Sequence, residues 1–163
     1  MNHSQRNRFP LLSCITLFCV TILAQAEDIY VSQNALGAGG GTSLTDTKAV
    51  SFFNTSSNWA LGAGKISPGD TVHLVGTIST RLNIMGSGLI GLPITVLFEP
   101  GAKLSAPYWP TSAAISSSGK SFITIDGNGV GIVEATANGT ALANQQLSGV
   151  SILIAERTLR SKD

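Results

Sequence analysis

The sequence predicts an all-β fold, a parallel β-solenoid of few rungs with one helix capping its N-terminal end. Three observations predict it. Short apolar runs alternate with turn residues along most of the chain. The runs recur with intervals of 22, 29 and 27 residues when Leu74, Val96, Ile125 and Ile152 are taken as equivalent. And the 163 residues are 43% hydrophobic, only 12% charged, and include 18 glycines, which suits a packed core with many tight turns. That composition excludes a disordered polar chain, a collagen and a coiled coil. A formal charge of +1 gives no argument for a nucleic-acid partner.

Residues 1–26 read as a secretory signal. Arg6 and Arg8 precede an apolar run from Leu11 to Leu23, and Ala24-Gln25-Ala26 places small residues where a signal peptidase cuts. The run is shorter than the roughly 20 residues of a membrane span. Leu11-Leu12-Ser13-Cys14 resembles a lipobox, but the apolar stretch continues well past Cys14. Cleavage after Ala26 is therefore expected, giving a secreted or periplasmic protein with no membrane segment. Both cysteines, Cys14 and Cys19, leave with the signal, so the mature chain has no disulfide and no thiol chemistry. Loss of Arg6 and Arg8 takes the formal charge from +1 to −1.

Residues 27–66 hold a brief strand at Ile29-Tyr30-Val31, a glycine-rich loop from Gly37 to Gly41, and a helix expected to start near Thr45 or Asp46 as cap. Ala49, Val50, Phe52 and Phe53 give that helix an apolar face, and Trp59 follows at a distance that can fold back on it. Residues 67–155 carry the repeats. Thr71–Val75 follows Ser67-Pro68-Gly69-Asp70; Ile94–Phe98 precedes Glu99-Pro100-Gly101-Ala102; Phe122–Ile125 runs into Asp126-Gly127-Asn128-Gly129; Val150–Ile154 is the last. Second short strands follow at Thr77-Ile78, Lys103-Leu104 and Ile132-Val133. Pro-Gly suits a type II turn, and Asp-Gly-Asn-Gly tolerates left-handed backbone. The rival is an antiparallel sandwich, since Asp126-Gly127 or Asn128-Gly129 can also close a hairpin.

Ser67-Pro68-Gly69-Asp70-Thr71-Val72, Pro93-Ile94-Thr95, Phe98-Glu99-Pro100-Gly101-Ala102-Lys103-Leu104 and Ile123-Thr124-Ile125-Asp126-Gly127-Asn128-Gly129 together resemble the opening rungs of secreted right-handed parallel β-helix proteins, the pectin lyase-like superfamily. The likeness covers residues 28 to 152. It implies that the segment 45–60 is the N-terminal cap, with Phe52, Phe53 and Trp59 sealing the core rather than forming a sugar platform. It implies a polysaccharide as partner, acted on or merely bound. The superfamily includes lyases, hydrolases and adhesins, so whether this chain is an enzyme stays open. Such proteins usually stack more rungs. Residues 156–163 form a charged tail without a visible cap, and the chain is expected to be the N-terminal part of a longer protein, or a self-associating module with an exposed last rung.

No complete active site is expected. Uronate lyases hold Ca²⁺ on clustered carboxylates and use Arg or Lys as base. Here Ca²⁺ enters only through the resemblance, because Asp126 is aligned with Leu97 and Val75 and no carboxylate ladder forms. Arg81, Lys103 and Lys120 have no acidic cluster beside them in sequence. Hydrolases need paired carboxylates, and Asp126 reads better as a turn residue bonding nearby backbone donors. His73, inside a strand, reads as a satisfied or solvated histidine. Tyr108 and Trp109, held between Pro107 and Pro110, are the candidate substrate-binding pair, with a packed corner as the alternative. No catalytic and no metal-binding residue is assigned, and the sequons at Asn54 and Asn138 carry no role.

Overall fold

The computed structural model describes residues 25–109 and 113–137, together with the backbone of two short strands, Ile152–Leu153 and Ser161–Lys162. The fold is predominantly β, with parallel strands and very little helix. In chain order the strands are β1 (Asp28–Ser32), β2 (Lys48–Ala49), β3 (Thr71–Leu74), β4 (Thr77–Ile78), β5 (Leu82–Asn83), β6 (Ile94–Phe98), β7 (Lys103–Ala106), β8 (Ile115–Ser116), β9 (Ile123–Asp126), β10 (Ile132–Ala135), β11 (Ile152–Leu153) and β12 (Ser161–Lys162). They form a six-stranded sheet in the order β12-β9-β6-β3-β1-β2 and two three-stranded sheets, β10-β7-β4 and β11-β8-β5. From β3 onward, strands three apart in the chain are neighbours. Every strand pairing among the described residues is parallel. The sandwich alternative fails on this point: β9 and β10, which flank Asp126–Gly129, lie in different sheets.

Alternation fills the core. Ile29 and Val31, Val72 and Leu74, then Ile94, Val96 and Phe98 point inward and are buried. Each such side chain removed from water contributes about 1.5–3 kcal/mol. The register between β3 and β6 differs from expectation by two residues. Val96 pairs with Val72, not Leu74, and with Ile125, so the true intervals are 24 and 29 residues. Since side chains alternate with a period of two, a two-residue shift keeps the same face inward, and burial alone cannot detect it. Ile152 also moves: it pairs with Ile115 in the third sheet rather than continuing the row of Ile125. The expected second strands are present and mutually paired, Thr77 with Lys103 and Lys103 with Ile132.

The turns behave as their residues dictate. Asp70 N–H donates to Ser67 O (3.1 Å) around Gly69 at φ +97°, and Ala102 N–H to Glu99 O (2.8 Å) around Gly101 at φ +82°. Asp126 closes its own turn, its Oδ1 accepting the N–H of Asn128 at 2.8 Å.

The helix predicted within residues 45–60 is shorter than expected. Helix α1 spans Val50–Phe53, and a single 3-10 turn follows at Ser56–Asn58. Neither Thr45 nor Asp46 caps it; the residue before the helix is Ala49, without a side-chain bond. Asp46 is committed elsewhere. Its carboxylate accepts from the Thr42 hydroxyl (2.7 Å) and from Gly40 N–H (3.0 Å), which fold the glycine-rich loop and, the hydroxyl foremost, hold its own titration below the ordinary carboxylate range. Val50 and Phe53 are buried, and Trp59 does fold back: its ring meets Phe53 edge-on at 4.9 Å, and its indole N–H donates to Phe53 O. Asn54 bridges α1 to β5, donating to Arg81 O (2.8 Å) and accepting from Asn83 N–H (2.8 Å), so its amide is a structural tie. Among the described residues no helix is long and apolar enough to cross a membrane.

Candidate functional site on the outer face of the long sheet

The same alternation that buries Ile29, Val72 and Val96 turns their neighbours outward. On the six-stranded sheet one row holds Asp28, Thr71, Thr95 and Thr124, and the next holds Tyr30, His73, Leu97 and Asp126. In-register parallel strands repeat every ~4.8 Å, so these side chains form ladders across the strands.

Tyr30 and His73 stack, ring centroids 4.4 Å apart and 16° from parallel. His73 Nδ1 lies 2.5 Å from Glu99 Oε1, and Nε2 lies 3.1 Å from Asp28 Oδ1. The histidine side chain is only 12% exposed, Glu99 18% and Asp28 67%. A carboxylate only accepts, so both bonds form together when the ring carries both protons; the neutral ring can donate to one. Glu99 and Tyr30 fix the ring plane while Asp28 stays open to solvent. The arrangement orients an imidazole, but among the described residues no three His, Cys, Asp or Glu side chains are grouped to hold a metal ion. His73→Ala removes the imidazole from between Glu99 and Asp28 and the stack on Tyr30; we expect a loss of about 1–3 kcal/mol, read as a shift in the denaturant midpoint.

The sequence-derived pair behaves differently. Trp109 is buried at 2% exposure, and its indole N–H donates to Glu134 O at 2.9 Å, whereas Tyr108 is 47% exposed. The two rings are not displayed together, so the corner is packed by Trp109 and only Tyr108 faces outward. The bases are dispersed. Lys103 pairs with Glu134 at 3.2 Å on the second sheet, where the Ser105 hydroxyl first and Lys103 second hold the Glu134 carboxyl below its ordinary value. Phe52 is half-buried with the Lys48 ammonium 4.7 Å over its ring. Asp126 aligns with Leu97 and His73 rather than Val75.

Sequence reasoning found His73 and its satisfied state but not its partners. Asp28-Ile29-Tyr30-Val31 and Thr71-Val72-His73-Leu74 share one out-in-out-in pattern, and that was the available signal. The 43-residue step from Tyr30 to His73 hid it, because the loop and helix inserted there break the repeat interval. No protein-family model, no curated protein and no solved structure matches this chain.

Proposed function

We propose that the chain is the N-terminal part of a secreted right-handed parallel β-helix protein of the pectin lyase-like type, and that the outer face of its long sheet binds an extracellular polysaccharide. The observation that carries the proposal is the strand order. From β3 onward, three parallel sheets each take one strand from every successive segment, the order expected of β-helix rungs. The outer ladders supply what a sugar chain needs: threonine hydroxyls, the Asp28 and Glu99 carboxylates as acceptors, and aromatic surface at Tyr30. Export through cleavage after Ala26 belongs to the same proposal. The proposal is one of binding, and it rests on the groups that the described residues display on this face.

Affinity electrophoresis of the protein through gels containing acidic or neutral polysaccharides tests this. We expect retardation by at least one polysaccharide, weakened about tenfold by Tyr30→Ala, and no unsaturated product with or without Ca²⁺. Unretarded migration in every gel contradicts it.

A second reading, a self-assembling module, is favoured by one observation. Val130 and Ile132, beside and within the outermost strand of the β10-β7-β4 sheet, are 47% and 50% exposed. A concentration-dependent sedimentation coefficient that Ile132→Lys abolishes supports that reading.

A further inference from the structure

Asp70 does more than close a turn. It is 1% exposed. Its Oδ2 accepts from Ser67 N–H at 2.6 Å, and its Oδ1 accepts from the backbone nitrogen of Glu27 at 2.8 Å. Glu27 O in turn accepts from Thr71 N–H at 3.0 Å, so residue 27 is already held as an extension of β1 beside β3. The Glu27 carboxylate points elsewhere, accepting from Gly64 N–H at 2.9 Å.

The Asp70 carboxylate has no cationic partner among the described residues. Among the described residues no Lys, Arg or His forms an ion pair with it, and the charges that act on it, Glu27 and Asp28, have its own sign. Burial above all pushes its titration upward and the two acidic neighbours add to that, against the two N–H bonds. A buried carboxylate without a counter-charge is destabilising, and pairing it is the remedy.

The atom that can supply the charge is already in place. Hydrolysis of the Ala26–Glu27 peptide bond adds one water across it, leaving a carboxylate on Ala26 and an amine on Glu27. That amine is the same nitrogen now 2.8 Å from Asp70 Oδ1. An α-amino group titrates near ~8, so it is largely an ammonium at neutral pH. We propose that removal of the leader after Ala26 turns the Glu27–Asp70 hydrogen bond into a buried ion pair, a latch that secures the first strand only in the processed chain. The proposal rests on the reading that the protein is exported and cut at that bond. It requires no rearrangement, because the nitrogen gains protons and charge where it stands.

The test exports the full-length precursor and a second precursor with one alanine inserted between Ala26 and Glu27. Intact mass is read first, to establish each new N-terminus. We expect the chain beginning at Glu27 to have an unfolding equilibrium constant at least tenfold smaller than the chain carrying one extra residue. Asp70→Asn in both backgrounds is expected to close that gap. Should Asp70→Asn fail to fold, selective acetylation of the Glu27 amine serves instead, since it removes the charge and keeps one N–H; it is expected to cost the same factor. Equal stability of free, extended and acetylated termini overturns the latch. A mass placing the cut at another bond overturns the export reading at Ala26, and the two failures are told apart by which measurement reports them.

Discussion

Phe53→Ala is expected to lower the stability of the fold by about 3–5 kcal/mol, out of a total that for a domain of this size is about 5–15 kcal/mol. Phe53 is fully buried on a helix of four residues, too short to hold its own shape without packing. Its ring and that of Trp59 meet nearly at right angles, and the Trp59 indole N–H reaches back to the Phe53 carbonyl. Truncation leaves a cavity at the N-terminal end of the core and removes the surface that orients Trp59. Helix α1 and the strand β5, to which Asn54 ties it, are expected to loosen together. Denaturant unfolding followed by tryptophan emission checks this. Phe52→Ala is the comparison, because Phe52 is only half-buried and should cost about 1 kcal/mol.

Gly88→Ala is expected to destabilise by about 3 kcal/mol or more, at the upper end of overpacking costs. The reason is space rather than backbone angle. A Cβ built there meets Phe122 O at 2.4 Å, Leu92 O at 2.8 Å and Ile94 N at 2.9 Å, all of them backbone atoms. No flexible side chain can yield. The same spot carries the bonds that join two successive segments, Gly88 N–H to Ser121 O and Ile94 N–H to Phe122 O, each 3.0 Å. Gly127→Ala is the control, with nothing within 4 Å of the added carbon and an expected change below about 0.5 kcal/mol. Thermal melts of the two variants side by side separate the effects.

Much of the parallel β organisation was legible in the chain, for identifiable reasons. β3, β6 and β9 alternate cleanly and sit beside Pro-Gly or Asp-Gly turns whose geometry the residues impose. The third sheet was not legible. Its strands β5 and β8 are two residues long, and in β8 both Ile115 and Ser116 are buried, so no in-out alternation marks the strand. The start of α1 was missed because Asp46, a good cap by type, is spent on the glycine-rich loop. The register was off by two because burial repeats every second residue. At the candidate site, His73 was recognisable as a satisfied histidine, but Asp28 and Tyr30 come from a strand separated by an irregular insertion. Tyr108 and Trp109 were read as a candidate substrate-binding pair with a packed corner as the alternative, and burial puts Trp109 in the packing and leaves Tyr108 at the surface.

The central claim is that successive segments stack in parallel with Val72, Val96 and Ile125 in one column. Nuclear Overhauser spectra of the isotope-labelled protein test it most directly. The account predicts strong side-chain contacts within that column, together with contacts between the Tyr30 and His73 rings, and no short Hα–Hα contacts between β6 and β9. Short Hα–Hα contacts between those two strands would mean antiparallel pairing and contradict the fold. A column running through Leu74 and Val96 instead would separate His73 from Glu99 and dissolve the site built on them.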